Sequence, residues 1–157
     1  MTHAAPRPEL VINYAPELDL RFALASVQGY GNIALPEYRL AVDCRLRHPT
    51  GSFTYSVSDL CFDLQAFAKF AEELKGMQQT RSATLKNVGE MMVFRLVGDF
   101  RKLEATLSIR ESIAAKFATL NATLEVDYDL FVNKLHGEIV RFLEEVRQIE
   151  PSPPEWS

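Results

Sequence analysis

Apolar and polar residues alternate along most of the chain, which is the pattern of β-strands with one side in a core and the other in water. The alternation is strongest over residues 18–25, 38–47, 52–58, 102–110 and 119–126, and weaker over 10–14, 83–88 and 91–97. Segments typical of turns separate these runs, such as His48-Pro49-Thr50-Gly51 and Gly98-Asp99. The pattern therefore predicts about eight strands in an antiparallel arrangement.

Two segments change to the period of an α-helix. The first follows Asp63, a residue type favoured at the N-cap, and Gly76 is expected to end it. The second begins near Asp127 or Asp129 and continues to about residue 149. Each segment carries one apolar stripe opposite a charged side. The stripes contain Leu64, Phe67, Phe70, Ala71 and Leu74 in the first helix and Phe131, Leu135, Ile139, Phe142, Val146 and Ile149 in the second.

The order of these elements predicts an α+β fold of the type ββββα-ββββα. Strands with one apolar side must bury that side, and the two amphipathic helices supply the other apolar surfaces of the chain. We therefore expect a curved antiparallel sheet of seven or eight strands, with both helices packed on one face of it. Leu40, Leu107 and Leu124 should point into the core, and Arg45 should point into water.

A chain of 157 residues is long enough for one domain of ordinary size. We expect that domain at residues 9–149, preceded by a flexible lead at 1–8 and followed by a Pro-rich tail at 150–157 that contains Trp156. With 47% hydrophobic and 24% charged residues, the composition favours a folded protein over a disordered one. No apolar segment suits a membrane span or a signal-peptide core, so we expect a cytoplasmic protein.

The charge of the chain bears on its partners. The formal net charge is −4, and most of the excess acid lies in the last helical segment. Binding to nucleic acid or to an anionic membrane depends on clustered Lys and Arg. The balance therefore disfavours both as main partners.

No motif of enzyme or cofactor chemistry is present in the sequence. The three histidines, His3, His48 and His136, are far apart, and no spacing of His, Cys and carboxylate suits a metal. Cys44 has the inward parity of a strand residue, and apolar neighbours favour burial of Cys61 as well. We expect no cofactor, no metal and no catalytic residue, and hence a protein that is not an enzyme.

The polar side of the sheet is the first surface on which we expect a function. Arg39, Asp43, Arg45 and Arg47 share this side of one strand. Guanidinium groups flanked by Ser and Thr can bind a carboxylate-rich partner. The alternative interpretation is an ordinary solvated face with cross-strand charge pairs. Further candidates for the same side lie on other strands: Arg21, Lys86, Arg95, Lys102 and Arg110.

The acidic side of the last helix is a second candidate surface, formed by Glu138, Glu144 and Glu145. It would suit a basic partner such as a nuclease, whereas the arginine-bearing strand would suit an acidic one. The sequence does not decide between the two.

A resemblance to a known family rests on three pieces of the chain. These are Tyr55-Ser56-Val57-Ser58-Asp59-Leu60 with the helix after it, the hairpin from Met91 through Ile109, and Leu124-Glu125-Val126-Asp127 with the closing helix. In hydrophobic pattern and element order the chain resembles bacterial immunity proteins of the WapI type, over roughly residues 18–147. The resemblance implies the fold given above and a role in neutralising a toxin; it carries over no catalytic residue.

Three hypotheses of function follow. The first is a non-enzymatic module that binds another protein stoichiometrically, with a toxin as the candidate partner, and acts by covering the partner's active site. The second is a small-molecule carrier or an enzyme with a cavity between sheet and helices. The third is a self-associating module, in which an exposed strand pairs across a two-fold axis to form a homodimer.

Overall fold

The computed structural model describes residues 7–29, 36–110 and 117–149, and only the backbone of residue 117. The α+β class and the order ββββα-ββββα are confirmed, with one short extra helix after the first long one. The elements are β1 (Glu9–Ala15), β2 (Leu18–Gln28), β3 (Glu37–His48), β4 (Gly51–Phe62), α1 (Leu64–Lys75), α2 (Met77–Thr80), β5 (Ser82–Lys86), β6 (Met92–Gly98), β7 (Leu103–Arg110), β8 (Phe117–Leu124) and α3 (Tyr128–Arg147).

The strands form two four-stranded antiparallel sheets instead of one continuous sheet. Sheet A has the order β1-β2-β3-β4 and sheet B the order β5-β6-β7-β8. Within the described ranges no strand ladder joins the two sheets, although the Val88 amide donates to the Cys61 carbonyl at 3.0 Å. Alternation determines which side of a strand is apolar but not which strand is its neighbour. The pattern therefore predicted the strands without showing their division into two sheets.

The alternation predicted the core side of the strands correctly. Leu40 of sheet A is 1% exposed, Leu107 of sheet B is 0% exposed and Leu124 is 5% exposed, whereas Arg45 is exposed. The apolar sides of both sheets and the stripes of α1 and α3 form one continuous core. Both long helices therefore pack on the apolar sides of the strands, as expected.

Helix α1 lies where the two sheets and α3 meet. The ring of Phe67 lies 5.6 Å from that of Phe22 and 5.2 Å from that of Phe62, both in sheet A, and 5.4 Å from Phe142 of α3. One turn further along, Phe70 contacts Phe94 of sheet B at 6.1 Å. A single helix thus joins the two halves of the chain through aromatic contacts.

The residues predicted to begin and end the helices do so. The Asp63 side chain accepts a hydrogen bond from the Gln65 amide at 2.9 Å, and Asp127 accepts one from the Leu130 amide at 3.1 Å. Both carboxylates satisfy amides that have no partner within their helix. Gly76 ends α1, also as predicted.

A bulge in β4 changes the side to which its residues point. Val42 of β3 faces Val57, whereas Leu40 faces Leu60, so two residues of β4 oppose one of β3. Beyond the bulge Leu60 is buried and Cys61 is half-buried on the polar side. The expectation that Cys61 is buried was therefore wrong, because the bulge turns its side chain to the polar side.

The start of the domain lies slightly earlier than predicted. Pro8 is buried, and its carbonyl accepts from the Leu24 amide at 3.0 Å, so the expected flexible lead does not reach residue 8. Residues 1–6 of that lead, the expected tail at 150–157 and Trp156 lie outside the described residues. No described helix combines the length and apolar character needed to cross a bilayer.

Candidate functional site

The polar side of sheet A brings together four of the charged residues predicted for a binding surface: Arg21, Asp43, Arg45 and Arg47. Arg45 faces Asp19 on β2 and Thr54 on β4, and one row along, Asp43 faces Arg21 and Ser56. The surface of the sheet is shallowly concave here and forms a depression of about 520 Å³. We call this surface the arginine face: Asp19, Arg21, Asp43, Arg45, Arg47, Thr54 and Ser56.

Some charges of the arginine face are already engaged within the sheet. Arg21 Nε donates to Asp19 Oδ1 at 3.1 Å, and this hydrogen bond raises the pKa of the guanidinium. Ser56 Oγ donates to Asp43 Oδ1 at 2.6 Å. These contacts hold Arg21 and both carboxylates in fixed positions at the centre of the face.

Arg39 lies apart from the arginine face because of the bulges beside it. It faces Ser26 and Cys61 instead of the row of hydroxyl residues. Its Nη1 contacts both oxygens of Asp59 at 3.1 Å, and its Nη2 pairs with Glu37. The bond with Asp59 raises the pKa of Arg39. Because Asp59 and Glu37 already pair with Arg39, its guanidinium is less available to a partner than those of Arg45 and Arg47.

Arg45 and Arg47 differ from the other two arginines. Both are exposed, and neither guanidinium makes an ion pair or hydrogen bond with any side chain in the described ranges. They lie two residues apart on β3, so both point to the same side. Because neither guanidinium is held by an ion pair in the described sheet, both can donate directly to an approaching carboxylate on this surface.

The remaining basic residues proposed for this side belong to the other sheet. Arg95 on β6 donates to Thr84 Oγ1 at 3.2 Å, and Lys86 and Lys102 pair with neighbouring glutamates. Arg110 is also in sheet B, on β7. These four further candidates therefore belong to a different sheet from the arginine face.

The acidic side of α3 is largely neutralised by a residue of the same helix. Arg141 contacts Glu138 at 2.8 Å and Glu145 at 2.7 Å, and its Nη2 also donates to the carbonyl of Glu9 in β1 at 3.1 Å. Of the three glutamates predicted for this surface, only Glu144 has no such contact among the described residues. The structure thus distinguishes two surfaces that the sequence left equal.

In the part of the chain that the structure describes, the thiols and histidines form no reactive cluster. Burial raises the pKa of Cys44 to about 12, and partial burial with Glu37 beside it raises that of Cys61. His48 Nδ1 lies 2.8 Å from Thr50 Oγ1 in the β3–β4 turn. Among the described residues no three His, Cys, Asp or Glu side chains are placed to hold a metal ion.

A groove that the sequence did not predict lies where α3 begins. Phe100, 73% exposed in the β6–β7 turn, stands beside two carboxylates, Asp99 and Asp129. The buried Tyr128 also lines this groove. Burial raises the pKa of its hydroxyl group. The groove has a volume of about 380 Å³. No sequence signal could have revealed it, because its residues come from α2, a turn and α3, which only the fold brings together.

Comparison with known proteins shows a distant structural similarity. No protein-family model matches the chain, and no curated protein matches it. Among solved structures it is similar to the crystal structures of Trypanosoma brucei MRP1/MRP2, with 10% sequence identity and a TM-score of 0.43 over 93% of this chain and 90% of that one. A TM-score of this size carries no statement about function.

Proposed function

We propose that the chain is a non-enzymatic protein-binding module that uses its arginine face to bind an acidic surface of another protein. The observation that carries the proposal is the pair Arg45 and Arg47, exposed and without an ionic partner in the described ranges. The hydroxyls of Thr54 and Ser56 beside them can add neutral hydrogen bonds. A partner that presents two or more carboxylates would complement this arrangement.

The filled interior supports binding over catalysis. The core positions between sheets and helices hold large apolar side chains with almost no exposure, such as Phe22, Phe67 and Phe142. The depressions described above lie at the surface instead. The sheet fixes the backbone of the arginine face before binding, so the entropy lost on binding is mainly that of the Arg45 and Arg47 side chains, which suits a module that acts by covering a partner's site.

The resemblance to WapI-type immunity proteins suggests the class of partner. In this proposal the partner is a toxin whose active site is rimmed by carboxylates, and the chain neutralises it in the cytoplasm by stoichiometric occlusion. The structure favours the arginine face over the acidic side of α3, because Arg141 already occupies two of the three glutamates there.

Affinity capture with matched variants tests the proposal. The tagged chain, the double variant Arg45→Gln/Arg47→Gln and the control Arg95→Gln are used to capture proteins from a lysate of the native host, and the captured protein is then purified. We expect an acidic protein bound at a one-to-one ratio, with binding weakened on the order of 30-fold or more by the double variant and unchanged by the control. Equal binding by all three would contradict the proposal, as would a captured partner with a basic contact surface.

A second candidate function is binding of a small cation in the groove beside Tyr128. The exposed Phe100 and the carboxylates of Asp99 and Asp129 favour it, because an aromatic face and carboxylates together attract organic cations. Arg81 also lines the groove and the Arg101 guanidinium lies 5.5 Å from the centre of the Phe100 ring, so an incoming cation has to displace Arg101 from that ring. Titration with arginine methyl ester, followed by NMR, should shift the resonances of Phe100 in the native chain and not those of an Asp129→Asn variant. An absence of shifts at millimolar ligand would exclude this function.

A further inference from the structure

The outer edge of β4 differs from the edges formed by β1 and β5. β4 is the last strand of sheet A and pairs only with β3 in the described part of the chain. Between Ser52 and Ser58 it contains no charged residue, no proline and no glycine. Natural sheets usually protect an edge with such residues, because exposed amides and carbonyls can pair with another strand.

Two other edges are closed by side chains from the helices. On β1, the carbonyl of Glu9 accepts from Arg141 at 3.1 Å. On β5, the amide of Thr84 donates to Glu73 Oε1 at 3.1 Å. No comparable side-chain contact to the backbone of residues 52–58 occurs among the described residues. The protection found at β1 and β5 is thus missing at β4.

We propose that two copies of the chain pair through this edge, antiparallel and about a two-fold axis at Tyr55. In this register every facing pair has matching chemistry, and no like charges oppose each other. The facing pairs are Ser52 with Ser58, Phe53 with Val57, Thr54 with Ser56, and Tyr55 with its own copy.

The side of β4 that faces the core favours the same arrangement. Phe53, Tyr55 and Val57 are only half-buried, although the residues opposite them on β3 are buried. Pairing would cover part of their exposed surface with the same residues of the second copy. On β8, the edge strand of sheet B, Leu120 is the one large inward side chain that is half-buried among the described residues, whereas Ala122 and Leu124 are buried and Ala118 is small. The apolar gain is therefore greater at β4.

The bulge sets the limit of the interface. At Ser58 and Asp59 the strand bends, and Asp59 adds a charge that would oppose further pairing. Seven residues of an antiparallel pair give about six to eight backbone hydrogen bonds. This interface is smaller than the roughly 800 Å² per partner of stable complexes. We therefore expect a dimer that forms at micromolar rather than nanomolar concentrations.

Dimerisation would also double the arginine face. Each Arg45 would lie in one row with Thr54 of its own copy and with Ser56 and Asp43 of the second copy. The two Arg45 strands would be separated by three strand spacings, about 14 Å. The dimer goes beyond the proposed function, because the chain can pair whether or not the face binds a partner.

Sedimentation velocity of the chain alone, over a range of concentrations, tests the dimer. Two variants differ only at residue 54. In Thr54→Lys/Ser56→Lys, lysines face each other across the axis twice, and we expect a monomer at all concentrations. In Thr54→Glu/Ser56→Lys, each glutamate faces a lysine, and we expect a dimer at least as stable as that of the native chain.

The edge of β8 provides the matched control. Thr119→Lys/Asn121→Lys adds the same charge there and should leave the β4 dimer unchanged. Hydrogen exchange should also show amides in residues 52–58 that become protected as the native chain is concentrated. A native chain that stays monomeric, a charge-paired variant that dissociates, or a control variant that dissociates would each overturn the proposal. These results do not depend on whether the arginine face binds an acidic protein.

Discussion

Replacing Phe67 with alanine tests whether one helix joins the two halves of the chain. The ring is fully buried and has three aromatic neighbours within 5.6 Å, from sheet A and from α3. Truncating a buried Phe costs about 3–5 kcal/mol through lost transfer energy and the cavity left behind. Because three ring contacts are lost together, we expect a cost near the upper end, about 4–5 kcal/mol.

The assay is urea unfolding followed by far-UV circular dichroism. Domains of this size have free energies of unfolding of about 5–15 kcal/mol, so Phe67→Ala should shift the midpoint strongly. Phe100→Ala is the matched control, since the same atoms are removed from a ring that is 73% exposed. We expect a cost within about 0.5 kcal/mol for the control. Similar costs for the two variants, or a loss of less than about 1 kcal/mol for Phe67→Ala, would refute the reasoning.

Further predictions concern the stability of the chain and the chemistry of Cys44. Gly98→Ala should destabilise the chain by about 2 kcal/mol or more in the same urea assay, because Gly98 has φ +132° and an added Cβ would lie 1.9 Å from the Lys102 carbonyl oxygen. Asp127→Ala should cost about 1 kcal/mol and lower the helical signal, because α3 loses its N-cap. Cys44, whose pKa burial raises to about 12, should react with a disulfide reagent at pH 8 at least about tenfold more slowly than in the unfolded chain, because only the thiolate attacks and its greater nucleophilicity offsets only part of its scarcity. The same shift should make the free energy of unfolding fall as the pH rises above 9, because the thiol of the unfolded chain ionises first.

The sequence was most informative about local structure. Strict alternation over residues 38–47 predicted the exposure of Arg45 and the burial of Leu40, because a strand has only two sides. The N-caps Asp63 and Asp127 were predictable for a similar reason, since short acidic side chains satisfy amides within their own turn.

Long-range relations could not be predicted from the pattern. Nothing in the alternation shows that β4 and β5 belong to different sheets, because pairing depends on the path of α1 between them. Nor does it show that Arg39 is paired while Arg45 is not, since the carboxylate of Asp59 reaches Arg39 only through a bulge. The sequence therefore predicted the candidate surface, but not which of its arginines, Arg45 and Arg47, are left without an ion pair in the described residues.

The most direct test of the proposed function observes the guanidinium groups themselves. The Nε–H resonances of the arginines are recorded by ¹⁵N NMR while a hexaglutamate peptide is added at low ionic strength. The proposal predicts that Arg45 and Arg47 shift first, and that Arg95 and Arg141 stay unchanged. Shifts centred on Arg95 or Arg141, or no shift at Arg45 and Arg47 at saturating peptide, would contradict the assignment of the arginine face as the binding surface.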